Sequence, residues 1–343
     1  MAHSAIVGFG VYLPKYRIKI SDIARHWQQD PVGLLASLGV EEKSVPGLDE
    51  DSFTFAFEAA QLALETSGIP SSQISAIFVG SESHPYAVKP TSGMLVSALK
   101  LDPFSHAADL EFACKAGTAG LQIVDSFIRS GQVKFGLALG TDTAQGKPGD
   151  ALEYTAAAGA AAFLLGPADH KDALCRVERS LSYTTDTPDF WRAADEGYPS
   201  HAGRFTGEPG YFAHVRETLR AVVERWKIEL SELDHVVFHM PNAKFPMRIA
   251  KEFGITKQQM SVGFIVPTIG NTYSACSLIG LVSVLEKARK DQRILVVSYG
   301  SGAGCDAILM TMQKNGKALP VDAREHSYLK YDEYLEHSGA LAA

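Results

Sequence analysis

The chain is poor in cysteine. There are four in 343 residues, Cys114, Cys175, Cys276 and Cys305, with no CxxC pair and no Cys/His spacing of the kind a zinc site needs. Their scatter argues against the disulfide framework of small secreted domains and for a reduced setting. Basic excess is also lacking: the net charge of -7 excludes a broad nucleic-acid footprint, although local basic side chains can still hold a phosphorylated ligand. No apolar run reaches the roughly 18 residues that a membrane span requires. The opening segment, MAHSAIVGFGVYLPKYRIKI, has no charged leader followed by an apolar core. The expectation is a soluble cytoplasmic protein. What is present is ordinary globular material, 46% hydrophobic and 21% charged, enough for two domains or one large α/β unit.

Short apolar, β-rich runs alternate with longer helical patterns. SAIVGFG, ISAIFVG, VKFGLALG and AAAFLLG read as buried strands in the first half, and VVFHMP, RILVVSYG and AILMTM in the second. DEDSFTFAFEAAQLALETSG has an acidic start and a glycine just past its end, and AGLQIVDSFIRSG is likewise stopped by glycine, so both read as helices. This alternation predicts an α/β fold with largely parallel strands. The halves echo each other. EFACKAGTAGLQIVDSFIRSGQVKFGLALGTD and IGNTYSACSLIGLVSVLEKARKDQRILVVSYGSG share one order of polar residue, small-residue helix, strand and glycine turn, which places Cys114 opposite Asn271. A diverged duplication accounts for this order; chance similarity of two βαβ units is the alternative. The polar, aromatic and glycine-rich stretch from about 181 to 210 reads as a long insertion between the halves, and long loops in compact domains are often functional.

Several residues could carry chemistry. Cys114 stands at the entry to a helix, where the dipole favours thiolate, although a buried free cysteine acting as a small hydrophobe fits the local pattern equally well. Glu82 leaves a buried strand, and desolvation there would lift its pKa into the range of a general base; a solvated turn glutamate is the alternative. His239 lies at a strand end closed by Pro241, where α/β enzymes place functional side chains. Asn271 is similarly placed, or is a helix N-cap. SYGSGAGCDA is followed by a strand rather than a helix, so it reads as a glycine-rich β-turn whose amides could serve an oxyanion hole, and not as a dinucleotide fingerprint.

The motifs RIKISDIARHW, GVEEKSVPGLDED, VGSESHPYAVKPT, EFACKAGTAGLQ, DFWRAADEGYPSHAGRFTGEP, HMPNAKFP, IGNTYSACSLIGL and SYGSGAGCDA run in order over nearly the whole chain. Together they resemble the archaeal-type hydroxymethylglutaryl-CoA (HMG-CoA) synthases of the thiolase superfamily. The resemblance implies a thiolase fold: α/β, with two duplicated βαβαβαββ halves in a five-layer αβαβα arrangement, paired as a homodimer. The first half would span 1–180 with the nucleophilic Cys; 181–343 would hold the insertion and the half carrying His and Asn. It further implies Cys114 as the acylated nucleophile, Glu82 as acid/base and His239 on the acceptor ketone. Asn271, Asp30, Pro31, Thr155, Arg204, Thr206, Lys244, Arg248 and Ser301 would contact CoA or the acyl group. Cations such as Lys244 and Arg204 are natural partners for CoA phosphates.

Acetyl-CoA and acetoacetyl-CoA would be substrates, with no metal or other cofactor. A complex with acetoacetyl-CoA thiolase and an OB-fold zinc-ribbon scaffold is also implied. Met240 and Ala243 in HMPNAKFP, with Cys276 and Cys305, depart from the family pattern without removing a catalytic group, and leave room for altered substrate preference. Two rivals stand beside this reading: a thiolase-fold acyltransferase or ketoacyl synthase III-like enzyme with another acceptor, and a non-catalytic subunit of a thiolase assembly. The tail SYLKYDEYLEHSG reads as a closing helix, or as a docking element.

Overall fold

The computed structural model describes residues 3–144, 146–193, 195–302, 304–319 and 326–339, without the side chains at positions 204 and 205. The first half begins with β1 (Ser4–Tyr12) and a surface excursion of β2 (Tyr16–Lys19), α1 (Ile20–His26), α2 (Pro31–Leu38) and β3 (Glu42–Val45). It continues through α3 (Ser52–Ser67), β4 (Ile74–Gly80), α4 (Thr91–Ala98), β5 (His106–Leu110), α5 (Ala116–Arg129), β6 (Phe135–Asp142) and β7 (Gly159–Pro167). The second half holds β8 (Cys175–Thr184), β9 (Phe190–Trp191), β10 (Ser200–His201), α6 (Phe212–Trp226), β11 (His235–Phe238), α7 (Lys244–Glu252), α8 (Lys257–Met260) and α9 (Val266–Ile269). It closes with α10 (Cys276–Lys287), β12 (Arg293–Gly300), β13 (Gly304–Met312), β14 (Ser327–Tyr328) and α11 (Tyr331–His337).

Strand order makes the duplication explicit. The first block runs β5-β4-β6-β7-β1 and the second β11-β12-β13-β8. Setting aside the edge strand β5, both are one parallel pair (β4/β6, β11/β12) followed by two antiparallel pairings, so the sheet is mostly antiparallel and not largely parallel as the strand–helix alternation suggested. The blocks join edge to edge at Ala5–Arg176 and Ile6–Cys175. Helices α5 and α10 fill the middle: Leu121, Val124, Leu278 and Leu281 share one core with Ile6 and Phe163 of the first block and Val296 and Ile308 of the second. Helices α3 and α4 cover the outer face of the first block, and α6 and α7 that of the second. Five layers result, as expected. Strands buried on both faces need no polar alternation, which is why β4, β6, β7 and β12 read as continuous apolar runs.

Two boundaries differ from expectation. The 180/181 division falls inside β8, whose topological twin is β1, so the second half begins near Cys175. The stretch 181–210 therefore lies within the second half, between β8 and α6, and not between the halves. It occupies the place that β2, α1, α2 and β3 occupy in the first half, between β1 and α3. The tail is a closing helix: Tyr331 and Tyr334 of α11 are buried with Ile20, Ile23 and Val45 under the first-half excursion.

Local sequence explains the ends of α3, which steers the chain into β4. The Asp51 side chain accepts from the Thr54 amide at 2.8 Å while the Thr54 hydroxyl accepts from the Asp51 amide at 2.8 Å, closing a capping box. Gly68 ends the helix in the left-handed conformation with φ 66°.

Candidate active site

Cys114 sits in a tight 3-10 turn, Ala113–Lys115, that feeds α5, and Tyr273–Ala275 forms the same turn before α10. Each turn starts on a non-glycine residue at φ 50°, Ala113 and Tyr273. Cys114 therefore matches Ser274, and Asn271 lies three positions earlier in the chain; the expected pairing of Cys114 with Asn271 is corrected by that offset. The second turn sits so close to β6 that a Cβ at Gly140 would stand 2.5 Å from the Ser274 carbonyl oxygen. Only glycine fits there.

Asp142, at the end of β6, ties the turns to the strand that delivers Glu82. Its Oδ1 accepts from the Ser81 hydroxyl at 2.9 Å, the Glu82 amide at 2.8 Å and the Ser83 hydroxyl at 2.7 Å. Its Oδ2 accepts from the amide and hydroxyl of Ser274 at 2.8 and 2.6 Å. A buried carboxylate this well provided with donors can hold backbone in place.

Glu82 faces the Cys114 thiol, and its Oε1 is buried without a conventional hydrogen-bond partner. Burial, reinforced by the Asp142 charge, pushes Glu82 up to about 8, against the opposing pull of the thiol and of Arg192. The thiol itself is pushed well up, first by burial and then by Glu82. A thiolate at rest was expected from the helix terminus. In the structure the thiol is dry and faces a carboxyl group, and those two effects outweigh the dipole. The resting pair is a thiol beside a base whose protonation changes near neutral pH.

His239 directly follows β11, is 1% exposed and has no partner on Nδ1. Burial lowers it to about 3, so its imidazole is neutral at working pH. Its backbone is pinned by its own amide to the Val297 carbonyl at 2.8 Å and by the Tyr211 hydroxyl to its carbonyl at 2.9 Å. The Tyr299 ring lies 6.5 Å from the imidazole.

The Asn271 side chain accepts from the Tyr273 amide at 3.0 Å and so shapes the second turn. The Asn271 backbone amide donates to the Thr155 carbonyl at 2.7 Å, which brings Asn271 and Thr155 together. Ser301 is at the tip of the β12–β13 hairpin, where the neighbouring Gly302 amide is bound by Asp189 at 2.7 Å. Thr206 has a buried hydroxyl without a partner, a polar atom available to a ligand.

Asp30, Pro31, Lys244 and Arg248 lie farther out. Asp30 caps α2 through the amides of Val32 and Gly33, both at 3.0 Å, with Pro31 following. The Ala243 amide donates to the Leu38 carbonyl at 2.9 Å, which joins the end of α2 to the turn carrying Lys244. Lys244 is exposed, and the Arg248 guanidinium is 4.2 Å from the Phe212 ring and 3.8 Å from Glu208. Asp30, Lys244 and Arg248 are exposed, at α2 and α7 and not on the elements that bear Glu82 and Cys114. Arg204 belongs to the turn 203–206, and its side chain lies outside the described residues.

Sequence reasoning passed over Asp142, and it marked the 181–210 stretch without singling out Phe190 or Arg192. Phe190 of the β9–β10 hairpin packs with Cys114, Ala156 and Tyr273, and Arg192 donates to the Glu82 carbonyl at 3.1 Å. The signal for Asp142 was present in GLALGTD, an acid at the end of a wholly apolar strand.

Comparison with known proteins follows this geometry. The chain is 52% identical over 345 residues to the hydroxymethylglutaryl-CoA synthase of Methanothermobacter thermautotrophicus, covering 98% of this chain and 99% of that one. It is 49% identical over 344 residues to the enzyme of the same name from Archaeoglobus fulgidus, with the same shares. The chain belongs to the hydroxymethylglutaryl-CoA synthase family. Residues 223–312 match the family model for the C-terminal part of 3-oxoacyl-[acyl-carrier-protein] synthase III. The fold agrees with a solved structure of HMG-CoA synthase complexed with CoA at a TM-score of 0.88 and 23% identity, over 97% of this chain and 89% of that one. The architecture is the thiolase fold. Membership of the HMG-CoA synthase family gives the chain a reaction class, acyl transfer with carbon–carbon bond formation.

Proposed function

We propose that this protein condenses acetyl-CoA with acetoacetyl-CoA to give HMG-CoA, the precursor of mevalonate. The observation that carries the reading is the pairing of a dry cysteine thiol with a half-buried carboxyl group raised to about 8. Ionised Glu82 takes the Cys114 proton as the sulfur attacks the acetyl thioester; the C–S bond to CoA breaks and CoA leaves as its thiol. Backbone amides at Cys114 and Ser301 are the donors assigned to the oxyanion, since the Gly302 amide is already given to Asp189. Glu82 then removes a proton from the methyl group of acetyl-Cys114. The resulting carbanion attacks the C3 ketone of acetoacetyl-CoA; neutral His239 steadies the developing oxyanion by a hydrogen bond, and the proton that Glu82 took from the methyl group is passed to that oxygen, which returns Glu82 to its ionised form. Water cleaves the Cys114 thioester, releasing HMG-CoA and the free thiol. Every step is proton or acyl transfer, so the scheme invokes no metal and no redox group.

Residues farther out support the same reading. Lys244 and Arg248 are exposed cations that suit the phosphates of CoA, with Asp30, Pro31 and Thr206 lining the approach and Asn271 and Thr155 the acceptor side. A homodimer is part of the proposal: β5 is the outer strand of its block, with His106 and Ala107 exposed, and pairing with a second copy would cover that edge. Association with acetoacetyl-CoA thiolase through an OB-fold zinc-ribbon protein, in the cytoplasm, completes it. Light scattering and co-purification test these two points.

The deciding experiment is incubation with acetyl-CoA, peptide mass spectrometry for an acetyl group on Cys114, and then addition of acetoacetyl-CoA. Acetylation followed by HMG-CoA release is expected. Acetylation without HMG-CoA would transfer the protein to the acyltransferase reading, and no adduct would remove the nucleophile altogether.

A further inference from the structure

The residue after the nucleophile is a lysine, in a turn otherwise made of small residues. Lys115 is 3% exposed, and an ammonium group in such a place needs a partner. It has one on the opposite half of the molecule: Nζ lies 3.0 Å from Oδ1 of Asp306 on β13 and 3.7 Å from the centre of the Phe112 ring. Asp306 is wholly buried and is itself held by the Ser182 hydroxyl of β8 at 2.7 Å and the Thr118 hydroxyl of α5 at 2.8 Å. The pair therefore joins the nucleophile turn and the start of α5 in the first half to two strands of the second.

Its position in the hairpin matters. Asp306 is two residues beyond Gly304, where the β12–β13 hairpin bearing Ser301 begins its return strand. At the other stem of that hairpin, a Cβ at Gly300 would stand 2.8 Å from the Phe112 carbonyl oxygen and 3.0 Å from the Lys115 amide nitrogen. Backbone therefore touches backbone on one side of the hairpin, and an ion pair fastens the other. A buried pair of this kind is a weak source of net stability, because its desolvation largely offsets its attraction. Geometry is what it can supply.

We propose that Lys115 and Asp306 are positioning residues for acyl transfer, holding the Cys114 turn in register with the Ser301 hairpin so that the attacking sulfur and the oxyanion donors share one alignment. This rests on the functional reading above and adds to it a connection between the halves that the catalytic groups themselves do not make.

The test removes both charges at once. Lys115→Met leaves Asp306 uncompensated and Asp306→Asn leaves Lys115 so; each single variant is expected to melt lower. The double variant K115M/D306N keeps an acceptor for the Ser182 and Thr118 hydroxyls and is expected to recover most of the loss. In the double variant, Cys114 acetylation at saturating acetyl-CoA should be about tenfold to a hundredfold slower, as a small misplacement of reacting groups costs. The acetyl-CoA concentration for half-maximal rate should hold, and so should the rate of Cys114 alkylation by iodoacetamide, which needs no aligned oxyanion donors. Recovery of the parent acetylation rate together with the parent melting temperature would overturn the proposal and leave the pair a purely structural one.

Ser182→Ala gives a second reading in a lightly perturbed protein. It removes one hydroxyl that steadies Asp306, and a slower acetylation with an intact fold is expected; an unchanged rate counts against the proposal. If the unaltered protein fails to acetylate Cys114, the functional reading itself fails, and that is told apart because parent and variants are then equally silent.

Discussion

The amide of Glu82 donates to the Asp142 carboxylate at 2.8 Å, so the base assigned to this reaction hangs from a second buried acid. The arrangement fixes the backbone of Glu82 and also places a negative charge where it opposes ionisation of the Glu82 side chain. Orientation and proton affinity are set by one contact.

The rate of condensation should therefore rise with pH through a midpoint near 8, the value to which burial and Asp142 push Glu82. The value measured belongs to the Glu82–Cys114 pair and not to one group alone. Glu82→Gln should abolish the rise and slow condensation by about 10²–10⁴, the usual contribution of a positioned base. The same shift has a sign for stability. A carboxyl raised above its unfolded value of 4.5 contributes stability that is full below that pH and lost as pH climbs through 8, so Glu82→Gln should melt higher than the parent at pH 9. Calorimetry at pH 5 and pH 9 checks it.

Replacing Asp142 with Asn should move that midpoint down, because the charge that holds Glu82 protonated is gone. The change also asks one amide nitrogen to sit among donors, which leaves a buried group unsatisfied at a cost of about 1–3 kcal/mol. A lower melting temperature with an acid-shifted rate profile is the expected pair of results. An unshifted profile would mean that the Asp142 charge does not act on Glu82.

His239 should contribute no titration between pH 5 and 8, since burial holds it to about 3. His239→Asn is expected to leave Cys114 acetylation intact and to slow condensation with acetoacetyl-CoA by about a hundredfold or more. In stability the lowered value acts opposite to that of Glu82. Its contribution is present above the usual histidine value of 6.5 and lost as pH falls toward 3, so the Asn variant should be less sensitive to acid. Melting curves between pH 4 and 7 decide the point.

The C-terminal helix reaches the site wall through one carboxylate. Glu153 accepts from the Tyr331 hydroxyl at 2.7 Å, the Trp27 indole at 2.9 Å and the Gly149 amide at 2.7 Å, two residues before Thr155. Tyr331→Phe removes a hydrogen bond to a charged acceptor and should cost about 1.5–3 kcal/mol of stability. Urea unfolding measures it.

Much of the frame was legible because strands buried on both faces leave unbroken apolar runs. Strand β8 escaped notice for the complementary reason: CRVERSLSYT becomes more exposed along its length, so its composition is polar and its twinship with β1 appears only in the pairing. That omission displaced the half boundary by a few residues and made the 181–210 stretch read as an insertion between the halves when it lies within the second. Of the two readings open for Glu82, a raised acid and a solvated turn glutamate, burial favours the first, since a carboxylate leaving a buried strand carries its desolvation with it. The protonation of Cys114 was misread because the helix terminus is local in sequence, whereas Glu82 is brought to it by tertiary closure. Asp142 works through five donors drawn from both halves, a fact that exists only after folding.

The dry thiol at Cys114 has a consequence for the lifetime of the molecule. Oxidants such as peroxide attack sulfur in its ionised form, and the steps past sulfenic acid destroy a nucleophile for good. A sulfur kept protonated by its own surroundings and 3% open to solvent offers such reagents little to attack. The burial that obliges the protein to supply a base is thereby a shield against oxidative inactivation between turnovers.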